Sequence, residues 1–359
     1  MKIRTFLFAA AAVVAVSACG GVSDTTRIAG VLEEEGLTEV NVMVEQLGID
    51  TLVAVTGGRF AVEIPADVTT MGIIAAGPYR ATFIPDGTKL KVVLGPESSV
   101  KSSPNSVNAR FVEFSEKSIA IQENFMTEVQ NLQAKTDVTE EQRDSLLVAN
   151  YDRFTGEFID FAREALAANS DNIIAISALS SLAVLLQDDA QMDSLINTLS
   201  PAIAANKDVV VMKEGIRARL ETAEGKMFKD FTVEDSDGKT VSLSDYVGKG
   251  KYVLVDFWAS WCGPCKAEIP NVKAAYDKYR KKGLDVLSVA VWDSPEATKD
   301  TAKVYGVTWK QIINAGQEPT ELYGIEGIPH VILFGPDGTI LKRNLRGEEI
   351  DQEISKYIR

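Results

Sequence analysis

The sequence predicts a β-sandwich-like domain, an α-helical region after it, and an α/β domain at the C-terminus. Three observations predict this order. From Arg27 to about Gly95, short extended runs alternate with turn residues. From about Val107 to Ala223, apolar and aromatic residues recur at helical spacing. From Val253, an apolar run rich in Val and aromatics passes through a tight turn into a helical segment. The expected boundaries are 1–19 for a targeting segment, 20–104 for the β-rich part, 105–222 for the helical part and 223–359 for the α/β domain.

Within the β-rich part, Arg27-Ile28-Ala29-Gly30-Val31-Leu32 is extended in character, and Glu39 to Glu45 alternates strictly. Asp50 to Thr56 and Arg59 to Ile64, joined by Gly57-Gly58, read as a hairpin. Tyr79 to Ile84 and Lys89 to Leu94, joined by Pro85-Asp86-Gly87, read as another. Pro96 to Ser106 is polar and linker-like. In the helical part, Phe111, Phe114, Ile119, Ile121 and Phe125 form one stripe, and Phe154, Phe158, Ile159, Phe161 and Leu166 another. Such stripes are the core faces of packed helices, and four or five helices are expected. Thr139-Glu140-Glu141-Gln142 is a helix start of the capping-box kind. Further on, Phe231 to Leu243 is a hairpin with an Asp-Gly turn, and Leu284 to Trp292 is a buried strand. Ser294-Pro295-Glu296 opens a helix and Lys310 to Asn314 is a short strand. Glu318 to Tyr323 is a helical turn, Val331 to Phe334 and Thr339 to Leu345 pair across Pro336-Asp337-Gly338, and Glu348 to Ile358 closes the chain as a helix.

A chain of 359 residues accommodates two or three domains. Its net charge of −14 argues against nucleic acid as a partner. Lys2 and Arg4 precede an apolar stretch from Phe6 to Val16 that is too short to cross a bilayer. Val16-Ser17-Ala18-Cys19-Gly20 follows and resembles the bacterial lipobox, in which the Cys becomes the lipidated first residue. The alternative is a plain secretory cleavage beside an incidental Cys. Either reading means export, to a compartment where disulfides persist. The lipobox reading adds a membrane anchor at Cys19 and a location in the cell envelope facing the periplasm.

The chemistry lies in Val253-Leu254-Val255-Asp256-Phe257-Trp258-Ala259-Ser260-Trp261-Cys262-Gly263-Pro264-Cys265. The two cysteines fall where a strand's carboxyl end turns into a helix's amino end. Unpaired backbone N–H groups and the helix dipole there favour negative charge, so a thiolate in the first turn is stabilised. Pro264 suits a first turn, where its missing N–H is not needed, and Pro270 is expected to kink the helix. Cys262, at the exposed end of the turn, is the expected attacking thiol, and Cys265, one turn on, the resolving thiol. A structural zinc site needs four ligands, whereas the chain has three Cys and one His. No metal and no cofactor are therefore expected. A bare structural staple is a weak alternative, because a four-residue loop closes little chain.

Trp261-Cys262-Gly263-Pro264-Cys265 after Asp256-Phe257-Trp258-Ala259 resembles the active-site sequence of the thioredoxin family. The resemblance covers 225–359, and the extra hairpin and the helix after Ser294 make it more like the exported TlpA and ResA branch than a minimal thioredoxin. It implies a thioredoxin fold, a redox-active Cys262–Cys265 disulfide and thiol-disulfide oxidoreductase activity. It also implies that Gly327-Ile328-Pro329-His330 is the cis-proline loop facing the cysteines, with Ile328 and Pro329 holding the substrate backbone. Trp261, Gly263 and Pro264 would shape the substrate surface. Asp256 matches the family's buried acid, which can take the proton of Cys265, and Glu268 matches an acid of the TlpA and ResA branch. The chain departs from the pattern at Ser288, where thioredoxins often carry a Lys beside that acid. His330, the single histidine, either lies near the thiols or simply starts a strand. The β-rich part resembles a domain of unknown function found in front of exported thioredoxins.

Two classes of function follow. One is a lipid-anchored disulfide reductase, acting on protein disulfides and re-reduced by a membrane electron donor. The Gly-Pro between the cysteines resembles reducing thioredoxins more than strong oxidants. The other is a partner-binding or scaffold lipoprotein whose front part recognises a partner. Disulfide oxidase and thiol peroxidase are further alternatives. Peroxidase sites of this superfamily place Thr and Pro before the reactive Cys, whereas Ser260-Trp261 precede Cys262 here.

Overall fold

The computed structural model describes residues 23–235 and 237–358. The targeting segment and Cys19 lie outside them. The chain forms two compact units that meet at Ser177/Ala178.

The first unit begins as a sandwich. Its strands are β1 (Thr25–Leu32), β2 (Glu39–Val44), β3 (Ile49–Ala54), β4 (Arg59–Pro65), β5 (Gly72–Ala76), β6 (Tyr79–Phe83), β7 (Lys89–Leu94) and β8 (Ser99–Lys101). They form two four-stranded sheets, ordered β4-β1-β7-β8 and β3-β2-β5-β6. Period-two alternation buries one face of each: Val40, Val42 and Val44 from one sheet meet Ile28, Leu90 and Val92 from the other in a shared core. Gly30 stands opposite Phe60 in the β1–β4 ladder, and a Cβ there would collide with the ring.

Both expected hairpins are corrected. Gly57 and Gly58 do turn the chain, with φ of 58° and 71°, but the turn closes a single bridge between Thr56 and Arg59. Beyond that bridge β3 joins β2 and β4 joins β1, in different sheets. The Pro85-Asp86-Gly87 segment likewise carries the chain across the sandwich, because β6 pairs with β5 while β7 lies parallel to β1. Both turns are the corners of the sandwich, where burying two apolar faces outweighs extending a two-stranded ribbon. Pro96 to Ser106 is not all linker, since β8 within it pairs with β7.

Asp86, buried at the second corner, accepts hydrogen bonds from Thr88 Oγ1 (2.6 Å) and from the backbone N–H of Asn108 (3.1 Å). Asn108 in turn binds both backbone groups of Ile84 (2.8 and 2.7 Å). This ties the corner to the first turn of α1 (Val107–Ala134), which Ser106 caps. α2 (Glu140–Ala168) starts in the predicted capping box of Thr139 and Gln142 and runs against α1. Phe114 stacks on Phe161 and Phe125 on Phe154, so the two stripes pack against each other, with Ile121, Phe158, Phe161 and Leu166 buried; Ile119, expected in the first stripe, is exposed.

α3 (Ile174–Leu186) carries the chain from one unit to the other. The second unit continues with α4 (Asp189–Ile196), α5 (Pro201–Ala204) and α6 (Lys207–Glu221), followed by the hairpin β9 (Thr232–Glu234) and β10 (Thr240–Ser242). The α/β part is β11 (Tyr252–Trp258), α7 (Gly263–Tyr279), β12 (Leu284–Ala290), α8 (Pro295–Val304), β13 (Lys310–Ile312), α9 (Glu318–Tyr323), β14 (His330–Phe334), β15 (Ile340–Leu345) and α10 (Glu348–Ser355). The sheet order is β13-β12-β11-β14-β15, with β11 parallel to β12 and antiparallel to β14. Strand β11 is buried on both faces. Leu254 and Trp258 face α7 and α10, while Val253, Val255 and Phe257 face α9.

The division at Ser177/Ala178 differs from a boundary near 222. Arg343 on β15 gives the physical reason. Its guanidinium donates to the Thr222 carbonyl (2.9 Å), Thr222 Oγ1 (2.7 Å) and the Tyr323 carbonyl (2.6 Å). Arg219 of α6 bonds Asp189 of α4 and also pairs with Glu326, just before β14. These ties fasten α4 and α6 to the sheet. A fragment spanning 178–359 should therefore be more stable than one spanning 223–359, by at least about 2 kcal/mol, because the shorter piece strips a half-buried cation of charge-assisted bonds. Chemical denaturation of the two fragments checks this; equal midpoints would mean that the helices add nothing.

Candidate active site

Strand β11 delivers the site. Its period-two alternation places Asp256 between Leu254 and Trp258, on the face that packs against α7 with Cys262 and Cys265. The strand ends at Trp258, and Ala259 to Trp261 make the turn. Cys262 is the N-cap of α7, and its sulfur accepts the Cys265 backbone N–H at 3.1 Å. The two cysteines are joined as a disulfide. Pro264 lies in the first turn, and α7 continues through Pro270 to Tyr279. The structure places Cys262 deeper than expected: it is 4% exposed against 1% for Cys265. The exposed rim above the sulfurs is made by Trp261, Gly263 and Pro264.

The Ile328–Pro329 peptide is cis. It lies beside the cysteines, with the Ile328 carbonyl oxygen 3.7 Å from Cys262 Sγ. Loop and thiols thus share one mouth, which adjacent ends of β11 and β14 create.

Asp256 is 2% exposed, opposite Ser288 of β12 and Val331 of β14 in register. Burial pushes its carboxyl up to about 7, and the Glu268 charge pushes the same way. Arg346 and a hydrogen bond from Ser288 pull it back. Ser288 Oγ is itself held by the Trp309 indole N–H at 2.9 Å. Glu268, 7% exposed, lies one turn beyond Cys265, and its Oε1 accepts from Asn271 Nδ2 and the Gly347 N–H, each at 2.9 Å.

His330 does not join this group. Val331 faces α7, so its neighbour His330 points to the opposite side of the sheet. There it lines a cleft of about 690 Å³ with Arg219, Glu326 and Arg343. Burial, then the Arg343 and Arg346 charges, push its imidazole down to about 3, so it is neutral. Among the described residues no group of three or more His, Cys, Asp or Glu side chains could hold a metal ion.

Sequence reasoning missed two residues. Asp293, just after β12, accepts from the Ser260 N–H (2.6 Å), Ser260 Oγ (2.9 Å) and Thr298 Oγ1 (2.8 Å). Burial works against its charge, yet these bonds hold its carboxyl below the usual range. Beside it, the Trp292 carbonyl accepts the Trp261 indole N–H at 2.9 Å. The loop therefore pins the turn that carries Cys262. The available signal is Asp293 directly before the Ser294-Pro295-Glu296 helix start, at the end of a buried strand. Arg346 reaches the site from the turn between β15 and α10, where no periodicity or motif marks it.

A buried disulfide at a helix N-cap, beside a cis-proline loop and above a buried acid, is an arrangement for thiol-disulfide exchange. Residues 225–343 match the model of the AhpC/TSA family. Thiol-disulfide oxidoreductase ResA of Bacillus cereus is 31% identical over 147 residues, which is 41% of this chain and 83% of that protein. ResA of Bacillus subtilis is 32% identical over 120 residues, 33% of this chain and 66% of that protein. The thioredoxin domain of a thiol-disulfide oxidoreductase from Bacteroides vulgatus, solved by crystallography, is 32% identical and covers 38% of this chain and 99% of its own, with a TM-score of 0.35. The chain belongs to the family of ResA-like thiol-disulfide oxidoreductases, with a thioredoxin fold in its C-terminal part.

The acid beneath the thiols has a measurable signature. Its carboxyl titrates near 3.8 in the unfolded chain and near 7 in the folded one. At a pH below both values it is protonated in either state and adds no pH-dependent cost. Between them folding must take up a proton, so stability falls as pH rises, and above 7 the loss is complete. Asp256→Asn should therefore stabilise the protein at about pH 8 by on the order of 3–4 kcal/mol, with the gain gone near pH 3. Denaturant unfolding across that range measures it; a gain independent of pH would mean that the carboxyl does not titrate in this way.

Proposed function

We propose that the chain is a lipid-anchored disulfide reductase facing the periplasm, acting on protein disulfides and re-reduced by a membrane electron donor. The observation that carries the chemistry is the Cys262–Cys265 pair at the N-cap of α7, with the Ile328 carbonyl beside it and Asp256 on the same buried face. The anchor rests on Val16-Ser17-Ala18-Cys19, and the reducing direction on Gly263-Pro264 between the cysteines.

The reduced protein begins the cycle. The Cys262 thiolate, stabilised by the Cys265 N–H and the start of the helix, attacks one sulfur of a substrate disulfide. A bond forms between Cys262 and that sulfur, the substrate's S–S bond breaks, and its other sulfur leaves as a thiolate. The substrate backbone lies along Ile328 and Pro329 as an added strand. Cys265 then gives its proton to the Asp256 carboxylate, directly or through a water, and attacks Cys262 Sγ. The mixed disulfide breaks and the substrate leaves with both sulfurs reduced. Two electrons have passed to the substrate, and the protein holds the Cys262–Cys265 disulfide until the donor returns two electrons. Because the carboxylate form of Asp256 accepts the proton, resolution should speed up as pH rises through about 7.

Cys262→Ser should be inactive and trap nothing, whereas Cys265→Ser should accumulate substrates as mixed disulfides on Cys262. Mass spectrometry of the trapped species decides: adducts on Cys265 would reverse the roles, and none at all would favour a partner-binding lipoprotein. The reduction potential of the pair tests direction, since a value near about −270 mV supports a reductase and one near about −120 mV an oxidase. The AhpC/TSA match makes peroxide consumption by the reduced protein the measurement for thiol peroxidase.

The anchor is tested separately. Cys19→Ala should abolish lipid labelling and release the protein from the membrane fraction or leave it unprocessed. A mature, soluble wild type with unmodified Cys19 would refute the anchor and leave the redox reading standing.

A further inference from the structure

Asp256 lacks the cation that thioredoxins often place across from it. The facing residue on β12 is Ser288, whose oxygen is engaged by the Trp309 indole. Val331 faces Asp256 from β14 and is apolar. The groups whose charge or hydrogen bonding acts on Asp256 are Glu268 on α7, Arg346 in the turn after β15, and Ser288. Its Oδ1 has no hydrogen-bond partner among the described residues. Arg343, two residues before Leu345, is committed elsewhere, to Thr222 and Tyr323.

Arg346 also touches the substrate loop. Its Nη2 donates to the Pro329 carbonyl and its Nη1 to the Leu345 carbonyl at 2.9 Å. The next residue, Gly347, gives its N–H to Glu268 at 2.9 Å. Arg346 and Gly347 therefore join two parts of the site, the cis-proline loop and the acid on the cysteine helix, while the Arg346 charge acts through space on the acid beneath the cysteines.

We infer that Arg346 is a positioning residue that supplies the counter-charge for Asp256 and Glu268 from the chain's far end and at the same time holds the Pro329 loop for substrate. This rests on the reductase reading for its kinetic part. Arg346 transfers no electron and no proton. It keeps Asp256 in the carboxylate form at lower pH, so that the Cys265 proton has an acceptor, and it braces the backbone along which the substrate docks. A lysine at Ser288 would do the first task alone. A guanidinium at the β15–α10 turn does both, because its donors reach the Pro329 and Leu345 carbonyls while its charge acts through space on the two carboxylates.

The first test needs no substrate. Carboxyl-carbon NMR of the oxidised full chain follows the Asp256 titration in wild type, Arg346→Gln and Arg346→Lys. Loss of a neighbouring cation should move the midpoint in Arg346→Gln to a pH higher by about one or more. Arg346→Lys keeps the charge and should stay close to wild type. A midpoint unmoved in Arg346→Gln, or moved equally in both variants, overturns the assignment.

The second test uses insulin reduction as the probe. Arg346→Gln should shift the acid limb of the kcat profile upward in step with the NMR midpoint and raise KM several-fold. Arg346→Lys should restore the profile while KM stays raised, because an ammonium lacks the planar fork that sets Nη1 and Nη2 on the two carbonyls. A uniform loss in both variants with no change of profile would indicate a merely structural residue. If wild type itself reduces nothing while the NMR shift is seen, the reductase reading fails and the electrostatic assignment stands.

Discussion

The structure of the site depends on one constraint: a carboxylate is buried on the same face of the sheet as two sulfurs. Burying an unpaired charge is costly, so the fold must either protonate Asp256 or supply an opposite charge. It does some of each. The carboxyl is pushed up to about 7, and Arg346 keeps it from going further. An acid poised there can hold or release a proton at neutral pH, as the resolving step proposed above needs. Strand β11 has to be the central strand for this to work. An edge strand would leave Asp256 in water, with an ordinary pKa and no reach to a buried thiol.

Around that strand, each loop at its carboxyl end has a separate task. The β11–α7 turn carries the cysteines. The loop after β12 pins the turn through Asp293 and holds the Trp261 indole over the mouth. The loop before β14 brings Ile328 to Cys262. The β15–α10 turn closes the set from the other side, with Arg346 on Pro329 and Gly347 on Glu268. The exchanging sulfurs thus lie among four chain segments that are far apart in sequence. Their mutual placement is fixed by hydrogen bonds between side chains of one segment and the backbone of another.

The two units solve different problems. The sandwich buries two sheet faces against each other, and its corners are stabilised by buried polar pairs such as Asp86 with Asn108. Nothing in its described residues resembles a redox site, and it contains no cysteine. The helices α4 and α6 belong physically with the α/β sheet, through Arg219 and Arg343. Those bonds also set one wall of the cleft that His330 lines, on the side of the sheet away from the thiols.

By itself the sequence determined the elements whose signals are local. The capping box at Thr139, the buried run of β11, the helix start at Ser294 and the Trp-Cys-Gly-Pro-Cys turn are all local in this sense. Each is decided by residues within one or two turns of chain, so composition and spacing suffice. Tertiary structure alone decided which strands pair within the sandwich. Gly57-Gly58 and Pro85-Asp86-Gly87 are good hairpin turns, yet the partners of β4 and β7 are chosen by which apolar faces can be buried together, and that choice is made across the whole sandwich. Tertiary structure also decided that Arg346 and Asp293 belong to the site and that His330 does not. Charge acts through space, and on a strand a shift of one residue turns a side chain to the other face, so neither fact can be read along the chain.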